Sequence, residues 1–63
     1  MSKHVYLVTR TVGQSFGTVG VVREVGSRRK LAESDKVRPF GFIHVALNDA
    51  EHVAAQHGWI VLL

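Results

Sequence analysis

The chain has 63 residues, no cysteine and a formal net charge of +3, with eight Lys and Arg against five Asp and Glu. A chain of this length makes one small domain, burying only about 60% of the surface its unfolded form exposes, and without cysteine it has neither disulfides nor thiolate metal sites as staples. Its longest apolar run, Trp59 to Leu63, is far shorter than the roughly 20 residues of a membrane-spanning helix. No apolar stretch follows Lys3 and His4 as a secretory signal requires, so a soluble cytoplasmic protein without membrane contact is expected.

The elements follow from pattern and punctuation. His4 to Val12 is rich in β-branched and aromatic residues and reads as a strand. Gly13 to Gly17 is a glycine-bounded connection of hairpin length, and Thr18 to Val25 reads as the partner strand. Gly20 inside that strand marks either a bulge or a close backbone approach. Gly26 to Pro39 is polar and reads as a long loop, a kind of segment that is usually functional or disordered. Phe40 to Leu47 reads as a third strand, entered through Pro39.

Asn48 to Gly58 carries the clearest helix signals. Asn48 suits the N-cap, Glu51 completes a capping box, and Gly58 supplies a left-handed stop. Ala50, Val53, Ala54 and His57 fall on one face, a stripe of mostly small side chains that allows close packing on a sheet. Trp59 to Leu63 reads as a fully buried last strand. The expected fold is therefore α+β: a small antiparallel sheet of about four strands with one helix near the C-terminus, in the order β-β-loop-β-α-β. One helix covers one sheet face. The strands are apolar on both, so the second face needs a cover, and a homodimer is the expected one.

Charge is unevenly placed. Residues 23–38 hold Arg23, Arg28, Arg29, Lys30, Lys36 and Arg38 against three acids, whereas residues 39–63 hold only Asp49 and Glu51. A basic middle of this kind favours polyanions.

The stretch Arg38-Pro39-Phe40-Gly41-Phe42-Ile43-His44-Val45, taken as a strand, places Arg38, Phe40, Phe42 and His44 on one surface. It resembles the RNP1 motif of RNA-recognition-motif domains, with Pro39 in place of a glycine and Val45 in place of the last aromatic, and Phe40-Gly41-Phe42-Ile43 is also similar to cold-shock domains. Val5-Tyr6-Leu7 is similar to the partner RNP2 motif, although Thr9 and Arg10 then depart from it. The resemblance covers about 25 residues. It lacks the family's first helix, because only five residues separate the first two strands. It implies base stacking on Tyr6, Phe40 and Phe42. Phosphates would then be neutralised by Arg28, Arg29, Lys30 and Arg38. The alternative for both Phe residues is the core. The glycine spacing of residues 13–22 resembles KOW motifs, with Phe16 where lysine is usual.

Catalysis finds no support. Ser15, Ser27 and Ser34 lack a paired base, and no phosphate-cradling loop precedes a helix. His52 and His57 are five apart and do not share a helical face, so no metal is expected, and no cofactor. Two functions remain. One is a non-catalytic module contacting RNA or single-stranded DNA through the aromatic strand face and the basic loop. The other is a protein-binding modulator, of the kind small phage or accessory genes encode, acting on a larger, nucleic-acid-handling complex.

Overall fold

Alternating Val-rich sequence on either side of Gly13 zips into an antiparallel hairpin that forms the centre of the protein. In the computed structural model, which describes residues 3–13 and 17–62, β1 (His4–Val12) pairs with β2 (Gly17–Glu24) in unbroken register from Val5 opposite Glu24 to Val12 opposite Gly17. The expected hairpin loop lies largely outside the described residues.

The polar middle is not the single loop its composition suggests. It contains β3 (Lys30–Glu33) and β4 (Arg38–Pro39), and both pair antiparallel with the same side of β2. Four residues suffice for β3 because Leu31 and Ala32 pack against the core. Ser34 then bridges the gap between the two short strands: its Oγ accepts the Gly20 N–H at 3.0 Å, and its own N–H donates to the Gly20 carbonyl at 2.8 Å.

The largest departure from the sequence reading follows Pro39. Phe40 to Leu47 is not a strand. Pro39 to Phe42 forms a tight turn in which the Phe42 N–H donates to the Pro39 carbonyl at 3.0 Å and Gly41 takes φ +101°, the conformation a type II turn demands of its third residue. The helix α1 (Ile43–Gln56) starts there, five residues before Asn48, with Phe42 at the N-cap and no side-chain capping bond. The local run Phe42-Ile43-His44-Val45 favours strand, but propensity is weak against packing. Packing here is decided by Ala46, Ala50 and Ala54, all fully buried at a spacing of four. Ala46 and Ala50 lie on Gly20, where an added Cβ would sit 2.1 Å from the Ala46 carbonyl oxygen. Of the two readings of Gly20, the close approach is the one observed; the sheet's register shift falls at Val22/Arg23.

The helix ends as its sequence predicts. Gly58 takes φ +74°, its N–H donates to Ala55, and the Trp59 N–H donates to Ala54, the paired bonds of a Schellman cap. The chain then returns as β5 (Ile60–Val61), parallel to β1 beside His4 and Val5. The sheet is thus mixed rather than antiparallel, in the order β3-β2-β1-β5. The last strand is a short edge with Ile60 and Leu62 exposed, not the fully buried strand expected. The fold is α+β, with one helix against one sheet face over a core of Val5, Val22, Ala50 and Ala54, flanked by Leu7, Leu31, Val53, Trp59 and Val61. No helix among the described residues is long and apolar enough to cross a membrane.

Candidate functional site

Directly paired residues of an antiparallel sheet share a face, so the register sorts the side chains. Val5, Leu7, Gly20, Val22 and Ala32 face the helix. Tyr6, Val8, Arg10, Val19, Val21, Arg23 and Glu33 share the other face. Among the described residues that face has no second layer, yet Val19 and Val21 are 3% and 1% exposed.

The open face becomes strongly basic at one end. Tyr6 on β1 lies opposite Arg23 on β2, and β2 leads one residue later into the turn carrying Arg28 and Arg29. The turn is closed by Arg28 N–H to the Glu24 carbonyl and Glu24 N–H to the Arg29 carbonyl, both at 2.9 Å. Ser27 braces it from within, its hydroxyl donating to Glu24 Oε1 at 2.7 Å and accepting the Arg29 N–H at 3.2 Å. Arg23 Nη1 donates to the Arg28 carbonyl at 2.7 Å. Arg28 itself has φ +63°, a left-handed conformation that an L residue with a Cβ adopts at a cost and glycine adopts freely.

The ion pairs explain why positive charge collects there. Lys3 pairs with Glu24, Arg10 and Lys30 with Glu33, and Arg38 with Asp49. Among the described residues, Arg23, Arg28 and Arg29 have no carboxylate within salt-bridge distance. The Glu24 carboxyl is held below its ordinary value by the Ser27 hydroxyl first and the Lys3 charge second, so it remains anionic but is already shared.

Tyr6, Arg28, Arg29 and Lys30 therefore belong to one end of the sheet. Arg38, Phe40 and Phe42 do not. The basic turn follows Glu24 at the end of β2, whereas β4 pairs with Gly17 and Thr18 at its start, a strand's length away, about 25 Å for eight residues. Nor do Arg38, Phe40, Phe42 and His44 line a strand face. Arg38 grips Asp49 of α1 through two bonds of 2.6 and 2.9 Å. Phe40 stands in the turn, 67% exposed, and Phe42 caps the helix, 52% exposed. His44 is in the first turn of the helix. Val37, Phe40, Phe42 and Ile43 are each exposed, so neither Phe belongs to the core.

No family model matches the chain, and no curated protein or solved structure matches it. The site must be read from its own chemistry.

Two features escape a reading of the sequence alone. Arg23 sits in an apolar strand, where composition does not set it apart from the other basic residues, although a hairpin closing at Gly13 and Gly17 fixes its pairing with Tyr6. The second is an apolar groove of about 590 Å³ between the free edge of β1 and α1, formed by Tyr6, Leu7, Leu47, Val61 and Leu62 with His44, Asn48 and Glu51 at its margin. It is invisible while residues 43–47 are taken for strand. Among the described residues no three His, Asp or Glu side chains come together as a metal site. His57 stacks on Trp59 instead, with ring centroids 4.3 Å apart.

Proposed function

We propose that the protein is a non-catalytic binding module that engages single-stranded nucleic acid at the basic end of its open sheet face. The carrying observation is that Arg23 lies opposite Tyr6 and Arg28 and Arg29 stand in the adjoining turn, none of the three within salt-bridge distance of a carboxylate among the described residues, while Lys3, Arg10, Lys30 and Arg38 are each ion-paired within the fold. Guanidinium groups suit phosphates through their planar fork of donors. Tyr6 offers a ring on which one base stacks, worth about 1–3 kcal/mol by alanine substitution. Phe40 and Phe42, at the far end, are not part of this contact.

The test is fluorescence anisotropy with short single-stranded RNA and DNA over a salt series. The expected result is the logarithm of the affinity falling linearly with the logarithm of salt concentration, with a slope of about −0.7 per phosphate contact, weakened in Arg23→Ala and Arg29→Ala and unchanged in Phe40→Ala with Phe42→Ala. No binding at low salt, or no salt slope, overturns the reading.

A second reading, a modulator that docks on a larger protein, is favoured by the exposure of Val37, Phe40, Phe42 and Ile43 within one short stretch of chain, because contiguous exposed apolar surface marks interaction sites. It predicts the converse: serine at Phe40 and Phe42 abolishes partner capture that survives nuclease treatment, and Arg23→Ala does not.

A further inference from the structure

We propose that two copies of the chain pair through the free edge of β1, joining their sheets about a two-fold axis at Thr9. β5 covers that edge only at its start. The Lys3 and Val5 carbonyls accept N–H groups of Ile60 and Leu62, and among the described residues β5 pairs with nothing beyond Val5. These bonds also fix the direction of the polar groups: odd-numbered residues of β1 turn their N–H and C=O toward this edge, and even-numbered ones toward β2, where the Arg10 carbonyl lies beside Thr18. Leu7, Thr9 and Thr11 are thus the three residues that present backbone donors and acceptors to the open side. They are symmetric about Thr9.

An antiparallel copy placed on that axis puts Thr9 opposite Thr9 and Leu7 opposite Thr11, so that each of the three residues exchanges both of its bonds with its opposite number, six bonds in all by the alternation of an antiparallel ladder. The side chains are compatible with this register. Val8 meets Arg10, whose guanidinium is drawn away toward β3 by two bonds to Glu33, and Tyr6 meets Val12. The added strand also roofs the apolar groove beside Leu7 and Leu47, on both copies at once. The edge lacks the usual defences against such pairing: from Leu7 to Val12 it has no Pro, no Lys and no unpaired charge. The pairing is isologous, the symmetry of most soluble dimers; it involves none of Arg23, Arg28 and Arg29, but it sets Tyr6, the stacking residue of the proposed function, beside Val12 of the second copy.

The experiment is sedimentation equilibrium of the full chain from low to high micromolar concentration, combined with amide hydrogen exchange followed residue by residue at both ends of that range. The expected result is a mass rising toward twice 7.0 kDa, with exchange at Leu7, Thr9 and Thr11 slowing by about tenfold or more as the dimer fills. A mass of one chain throughout overturns the proposal. A dimer in which those three amides exchange as fast as in the monomer overturns it equally, because its interface is elsewhere.

Discussion

Arg10 and Glu33 stand on strands that do not touch, and their head groups meet across the strand between them. Arg10 on β1 is opposite Val19 of β2, Glu33 on β3 is opposite Val21, and the guanidinium reaches the carboxylate through bonds of 3.2 and 2.9 Å. The connecting line crosses β2 over Val19 and Val21, and both valines are buried although no second layer lies on that face among the described residues. The apolar face that the sequence leaves in need of a cover is closed over β2 by the chain's own long side chains, whose stems shield apolar surface while their charges stay wet. Arg10→Ala removes the longer arm. It is expected to lower the melting temperature by a few degrees and to raise the binding of a hydrophobic dye, whereas Arg10→Lys, which keeps the stem, restores most of the shielding. An unchanged melting curve for the alanine variant refutes this role.

The same pair contributes to the response to pH. The Glu33 carboxyl is held below its ordinary value chiefly by its bonds from Arg10, the Asp49 carboxyl by its bonds from Arg38, and Glu24 by the Ser27 hydroxyl. All three are depressed in the folded state. Protonation therefore favours the unfolded chain. Their contribution is complete above the ordinary carboxylate range and is lost as pH falls from about 5 through the depressed values. Thermal melts between pH 7 and pH 2 are expected to show a flat upper region and a steep acid decline. Asp49→Asn is expected to lower stability at neutral pH and to reduce the size of the decline. A stability maximum below pH 4 contradicts the assignment.

Gly20 is a point of close approach between sheet and helix. A Cβ there meets the Ala46 carbonyl oxygen at 2.1 Å and the Ala50 Cβ at 2.7 Å, distances at which the layers must separate. Overpacking of this kind costs about 1–3 kcal/mol or more, a large share of the stability of a small domain. Gly20→Ala is expected to be largely unfolded by circular dichroism at room temperature. Adding Ala50→Gly does not rescue it, because the nearer obstacle is backbone.

Ser34 supplies a backbone-like partner to that same glycine. It is buried, 7% exposed, and its Oγ accepts the Gly20 N–H between the ends of two short strands. Ser34→Ala leaves that buried N–H without an acceptor and is expected to cost about 1–3 kcal/mol in denaturant melts. Ser34→Thr retains the hydroxyl and is expected to lose less. Equal losses in the two variants refute the hydrogen-bond account.

How much of this was legible in the sequence depended on whether local chemistry or distant packing decided each element. The first hairpin and the Gly58 stop were legible, because alternation and left-handed glycine act over a few residues. The start of the helix was not. Asn48 and Glu51 make a good local cap, but Ala46 finds its place against Gly20, more than twenty residues away, and carries Leu47 and its neighbours into the helix with it. Once residues 43–47 are helical, the alternation of Arg38, Phe40, Phe42 and His44 no longer exists, and the aromatic side chains part from the basic turn. The strands β3 and β4 were hidden for a related reason: at four and two residues they show no pattern, and each exists by pairing with β2.

Arg28 offers the sharpest separation of function from stability. Its φ of +63° is one that glycine adopts without cost, and the neighbouring Gly26 shows that this turn readily accommodates glycine. A basic side chain there adds nothing to the fold that the structure reveals. Its carbonyl, which accepts from Arg23 at 2.7 Å, is backbone and survives substitution. If the turn exists only to reverse the chain, Arg28→Gly alters stability alone, through relief of the left-handed backbone, and leaves binding unchanged. If it presents cations to phosphates, the same change is expected to raise stability by up to about 1 kcal/mol, weaken single-stranded nucleic-acid binding, and reduce the salt slope by about one contact. Denaturant melts and anisotropy titrations on one variant read both effects. Unaltered affinity, with or without the gain in stability, removes Arg28 from the contact surface.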